Sequence, residues 1–214
     1  MSLYSLSSRI AKYVTDGAEL DHNQTDRVRY GMEIILGVLF KGIALLSAAY
    51  LLGILSQVVI ALICGSILRL VSGGAHCTSY LRCLSFGLLV YLSAGKISLY
   101  LEKVLNHHQL PAIILGCYLL MVLSAHLWAP AEVPYRTISY NEAILFKRLT
   151  MAILTLSIVS FLFLANDIRL SYTMAGLSAL LAQTFSFTPP GYQVIGGIDT
   201  FLAGITTKRG GELK

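Results

Sequence analysis

Residues Arg69 to Cys83 read Arg-Leu-Val-Ser-Gly-Gly-Ala-His-Cys-Thr-Ser-Tyr-Leu-Arg-Cys and lie between two long apolar runs. They gather two arginines, a glycine pair, one histidine and two cysteines. A cysteine attacks as its thiolate, and an imidazole or a nearby positive charge helps that form arise. His76 and Cys83 are seven apart. On an unbroken helix they would share a face but stand about 10 Å apart along the axis, too far for a hydrogen bond. Gly73 and Gly74 argue against an unbroken helix, because glycine disfavours helix interiors and permits tight turns. The spacing predicts a break over residues 73–78 that folds His76 back toward Cys83 at the start of the next helix. A helix N-terminus also favours a thiolate.

The residues alone leave three readings of 69–83 open: a Cys–His nucleophilic pair, a metal site from His76, Cys77 and Cys83, and a structural loop. A metal lacks a fourth local ligand, and His107 and His108 fall on the other side of the membrane in the topology below, so no metal and no cofactor are expected. Cys83 is the better nucleophile, because Cys77 adjoins His76 in the chain and points elsewhere. No acid lies within 69–83 to orient the imidazole. A third member must come from elsewhere or be a hydroxyl such as Ser72 or Ser79. Arg69 is a candidate to stabilise an oxyanion or hold a substrate carboxylate; its ordinary role would be a charged anchor at the membrane face. Cys64 and Cys117 sit inside apolar runs and read as inert packing residues, and no disulfide framework is implied.

The elements around this stretch are those of a membrane protein. Of 214 residues, 56% are hydrophobic and 13% charged, against roughly 25% charged in soluble domains; mean hydropathy is +0.71. Residues 1–30 show no apolar leader of the secretory kind. Within 1–16, Leu3, Leu6, Ile10, Tyr13 and Val14 recur at helical spacing among Arg9 and Lys12, a pattern suited to the membrane surface or to packing on the protein. Six apolar runs follow, near 34–52, 54–68, 84–101, 111–129, 149–165 and 170–187. The second is short for a span and needs neighbouring residues or a re-entrant loop. Pro189-Pro190-Gly191 is expected to end the last helix, leaving 191–214 as a tail whose 192–206 portion is moderately apolar.

With the N-terminus inside, the cytoplasmic segments hold twelve basic residues: Arg9, Lys12, Arg27, Arg29, Arg69, Arg82, Arg136, Lys147, Arg148, Lys208, Arg209 and Lys214. The outer segments hold two, Lys103 and Arg169. That bias puts both termini and 69–83 on the cytoplasmic side. The expected fold is thus all-α: an amphipathic segment at 1–30, a six-helix membrane domain at 31–190 and a cytoplasmic tail at 191–214. The net charge of +5 serves orientation, with no basic run interleaved with aromatics to suggest a nucleic-acid partner. Lys41 and Lys96 fall within apolar runs, where a charge either snorkels outward or faces a polar cavity, so both are candidate supports of a site. Glu33 is placed to pair with Arg29 at i, i+4.

The pattern of Arg69, then Ser72-Gly73-Gly74-x-His76, then Cys83, at the cytoplasmic mouth of a small six-helix protein, resembles the accessory gene regulator B family. In outline the resemblance covers the whole chain, and Trp128-Ala129-Pro130-Ala131-Glu132 resembles that family's Ala-Pro-Ala stretch after the fourth helix. Two departures stand out: Val133-Pro134-Tyr135-Arg136 where the family continues Lys-Pro, and Cys77 where a small residue is usual. The resemblance implies a membrane cysteine endopeptidase of bacterial quorum sensing, in the cell membrane and in contact with its lipid. Its substrate would be a short amphipathic propeptide on the inner leaflet, cleaved near its C-terminus through a thioester and closed to a thiolactone or lactone. Arg69, Gly74, His76 and Cys83 match the family's functional positions, with Gly73 and Ser72 beside them, and the family implies a homodimer. The competing reading is a transporter or scaffold with no enzymatic activity, in which Lys41 and Lys96 would mark a pathway.

Overall fold

The computed structural model describes residues 3–16, 21–131, 139–164 and 169–211. Glu132, the Val133–Arg136 departure and Lys214 lie outside the described residues. Those that are described form helices and connecting turns, without a strand. Contacts divide the chain into two compact units, residues 1–48 and 49–214.

In the first unit, α1 spans Leu3–Thr15, and α2 begins at His22 and runs on to Leu51. The expected polar segment 15–30 is therefore helical from residue 22. Pairs at helical spacing explain this: Arg29 bridges Asp26 at 2.8 Å and Glu33 at 2.9 Å, the second being the i, i+4 pair expected from sequence. The Arg29 guanidinium also lies 4.6 Å from the Tyr4 ring centroid. On α1 the buried positions are the small residues Ser7 and Ala11, whereas Tyr13 is 84% exposed.

The second unit comprises α3 (Leu55–Ser72), α4 (Tyr80–Val104), a 3-10 turn at His107–Gln109, α5 (Leu110–Trp128), α6 (Tyr140–Phe163), α7 (Leu170–Ser186) and α8 (Pro189–Gly211). The short second apolar run reaches membrane length by taking in Arg69–Ser72. A tight turn precedes it: Gly53 at φ +68° donates to the Tyr50 carbonyl, and Ile54 donates to Ala49. Among the described residues five helices, α2 to α6, are long and apolar enough to cross a membrane. Many of their large apolar side chains point outward, among them Ile43, Leu89, Leu119, Leu156 and Val159, as contact with lipid rather than water permits.

The sixth expected span is α7, which differs from the other five in being mostly buried. Its 17 residues rise about 25 Å, the lower limit for a span, and twelve of the 17 are buried. It is the central helix of this unit and packs on α3, α4 and α5. Small residues allow the close approach: Ala175 and Ala179 meet Ala61 and Tyr91, and a methyl group on Gly176 would strike the Phe161 ring. Leu68, Ile114, Met121, Leu154, Met174 and Leu180 fill the remaining core. Cys64 and Cys117 pack against it, as expected of inert thiols.

The proline pair corrects one expectation. Pro189 and Pro190 stop α7 but also start α8, which continues to Gly211, so this region is not a loose tail. Proline lacks the N–H that a first helical turn leaves unbonded anyway. Thr188 caps the new helix, its hydroxyl accepting the Gly191 N–H at 3.2 Å.

Candidate active site

The expected break lies between α3 and α4 and extends over residues 73–79. Gly73 closes α3 at φ +67°, donating its N–H to the Arg69 carbonyl at 3.1 Å, and Gly74 follows at φ +136°. Side chains other than glycine rarely adopt either conformation. A Cβ on Gly74 would also run into Ser186 Oγ. The loop then docks on the end of α7, where Ala75 N–H donates to the Ser186 carbonyl at 2.9 Å. The Ala-Pro-Ala stretch closes over it from the other side, with Ala131 N–H donating to the Ser72 carbonyl at 2.8 Å. The two sequence stretches that carried the family resemblance thus touch.

Arg69 stands at the centre. Its Nη2 donates to the Ala75 carbonyl at 2.7 Å and lies 3.2 Å and 3.1 Å from Nδ1 and Nε2 of His76. Its Nη1 donates to Gln183 Oε1 at 3.0 Å. A guanidinium can only donate, so the contact with His76 uses an imidazole lone pair. Both Cys83 and Cys77 are within electrostatic reach of this guanidinium. Among the described residues Arg69 has no carboxylate partner. A half-buried cation with neutral partners is suited to receive a negative charge that develops during a reaction. His76 is exposed at the surface of the loop. Cys83 sits in the opening of α4, its N–H already bonded to the Ser79 carbonyl at 2.9 Å.

The matching family model is that of accessory gene regulator B, over residues 7–187 of the 214. The chain belongs to the accessory gene regulator B family. Compared with curated proteins and with solved structures, it matches none. Accessory gene regulator B proteins are associated with autoinducing-peptide processing in quorum sensing, and with its five apolar helices this member is a membrane protein.

Of the residues singled out in this family member from sequence, Arg69, Ser72, Gly73, Gly74 and His76 come together at one end of the second unit, and Cys83 lies beyond the break in the first turn of α4. Ser72 Oγ accepts from Gln183 Nε2 of α7 at 3.0 Å and donates to the Gly73 carbonyl at 3.2 Å, so its bonds go to α7 and the loop and not to the imidazole. Lys96 is not brought to this place. It lies thirteen residues beyond Cys83 on α4, about 20 Å along the axis, and donates to the Leu52 carbonyl at 3.0 Å in the turn before α3. Lys41 belongs to the first unit. Among the described residues no group of three His, Cys, Asp or Glu side chains converges to hold a metal.

Sequence reasoning missed two residues. Gln183, 7% exposed, holds three partners at once: Arg69, Ser72 Oγ and the Gly73 carbonyl, the last at 2.7 Å. The signal was an amide inside an apolar run, where a polar group must find partners. Asp199 on α8 is the other. Its Oδ2 accepts from Thr78 N–H at 3.2 Å and from Thr78 Oγ at 2.7 Å, and its Oδ1 pairs with Arg82 at 3.2 Å. The Thr78 hydroxyl, with the backbone N–H and Arg82, holds this carboxyl below the usual carboxylate range. These contacts favour the ionised form. They are fully present above the unfolded carboxylate pKa and fade only as pH falls through the lowered folded value. Asp199 is therefore ionised at neutral pH.

Proposed function

We propose that this protein is a membrane cysteine endopeptidase that cleaves a short amphipathic propeptide near its C-terminus. The observation that carries the reading is Arg69, which touches His76 and lies within electrostatic reach of Cys83 at a break between two membrane-length helices. Cys83 Sγ gives up its proton to His76 and attacks the scissile carbonyl carbon. Arg69 balances the charge that collects on sulfur and then on oxygen. His76 returns the proton to the leaving amine, the C–N bond breaks, and the N-terminal fragment remains on Cys83 as a thioester. An internal Cys or Ser of the fragment then attacks that thioester, frees the Cys83 thiol and closes the ring. Thioester and thiolactone are nearly equal in energy, so closure proceeds without ATP. Where the bound peptide displaces water from the site, this transfer is favoured over hydrolysis.

Intact mass spectrometry of the enzyme in lipid tests the chemistry, using a propeptide whose internal nucleophile is replaced by Ala. The enzyme gains the mass of the N-terminal fragment, mapped to residue 83; an adduct elsewhere overturns the assignment. The charge bias places this chemistry, and both termini, on the cytoplasmic face. Single-cysteine variants across 69–83 in intact cells are then expected to resist a membrane-impermeant thiol reagent. Labelling from outside would reject both the orientation and the substrate route.

A further inference from the structure

The chain from Ala75 to Cys83 is fastened at two places. The first is Ala75, bonded to the end of α7. The second lies beside the nucleophile and belongs to α8. Asp199 receives the backbone N–H and hydroxyl of Thr78, pairs with Arg82, and accepts Arg82 Nη1 at its own backbone carbonyl at 2.9 Å. Arg82 Nη2 donates to Thr78 Oγ at 2.9 Å, which closes the network. Thr78 is two residues after His76, and Arg82 immediately precedes Cys83.

The placement of Asp199 is itself constrained. Thr188 bonds back to the Phe185 carbonyl at 2.8 Å and caps α8, and Tyr192 N–H donates to the Thr188 carbonyl at 3.0 Å. A Cβ on Gly191 would strike the Phe185 carbonyl oxygen, so the two helices meet closely. Asp199 is 6% exposed. The family match ends at residue 187, before α8 begins.

We infer that Asp199 is a positioning residue for the peptidase reaction: α8 clamps Thr78 and Arg82, and so fixes the distance and angle between His76 and the Cys83 thiol. This also gives Arg82 a role different from that of Arg69. Its charge is met by Asp199, which leaves Arg69 as the cation available to the thiolate. The inference rests on the reading of Cys83 and His76 as nucleophile and base.

The test separates chemistry from binding. The rate of thioester formation is measured by intact mass for wild type, Asp199→Ala and the nearly isosteric Asp199→Asn. Propeptide affinity is measured separately with each Asp199 change placed on a Cys83→Ala background. Loss of positioning is expected to slow acylation by about 10²-fold in Asp199→Ala, the scale of a misplaced reacting group. Asp199→Asn keeps an acceptor for Thr78 but loses the ion pair, so its rate should fall between the two. Affinity should stay within about twofold of the parent, well under one tenfold step of 1.4 kcal/mol. Iodoacetamide labelling of Cys83 without peptide should slow in the same order. Wild-type acylation in both variants overturns the inference, as does a loss of affinity large enough to account for the whole fall in rate. If the wild-type enzyme forms no adduct on Cys83, the peptidase reading itself fails.

Discussion

Cys83→Ala is expected to form no propeptide adduct and to lose cleavage by at least about 10⁴-fold, the scale seen when a covalent nucleophile is removed. The size follows from the chemistry. No other group among the described residues can take over the attack from the same place. Cys77 adjoins His76, but Cys77→Ser should leave the acylation rate within a few-fold of wild type. Cys64 and Cys117 are packed against the apolar core away from the loop. His76→Ala should sit between these limits, slowing acylation by about 10²–10⁴-fold, because the nucleophile remains while the proton has no carrier. Intact mass with the Ala-substituted propeptide reads all three variants. Cleavage persisting in Cys83→Ala would end the covalent mechanism and return the chain to the transporter reading.

Gly74→Ala is expected to have the next largest effect, although it adds one methyl group. A non-glycine residue at φ +136° is strained by about 1–3 kcal/mol wherever it sits. Here the new Cβ also meets Ser186 Oγ. That hydroxyl donates to the Gln183 carbonyl at 2.7 Å, and Gln183 holds Arg69. A shift at Gly74 therefore reaches the guanidinium through two short bonds. Acylation should drop by about 10²-fold or more, with a lower unfolding midpoint in detergent. Gly73→Ala should follow in the same direction, since its φ is +67° and its Cβ would come within 3.2 Å of the Ala131 carbonyl. Gly87→Ala, where a Cβ meets nothing within 4 Å, is the control and should be silent. A fully active Gly74→Ala would mean that the loop works in another shape.

Some of this protein was determined by its sequence alone, because the information is local. Glycine disfavours the helix interior and takes the positive φ a turn needs, so a break after Ser72 was readable at Gly73 and Gly74, although the pair Gly196-Gly197 stays helical within α8. Runs of apolar residues near membrane length give membrane-spanning helices without knowledge of their neighbours, because lipid demands internal hydrogen bonding of every backbone group. The pairing of Arg29 with Glu33 needed only helical spacing.

Tertiary structure decided the rest. In a membrane both lipid-facing and core-facing surfaces are apolar, so hydropathy alone did not mark α7 as the central helix; its small residues and Gln183 fit that place, and the surrounding helices make it so. The proline pair reads as a stop locally, and only the turn capped by Thr188 makes it the start of α8. Lys96 looked like a candidate for the site until its partner proved to be a carbonyl in a turn 44 residues back. Above all, the loop is held by residues far along the chain. Arg69 and Gln183 are 114 positions apart, and Thr78 and Asp199 are 121 apart. No periodicity or motif encodes such pairs, because they exist only once α7 and α8 have folded back against the end of α3, where a charged or polar group without those partners could not remain buried.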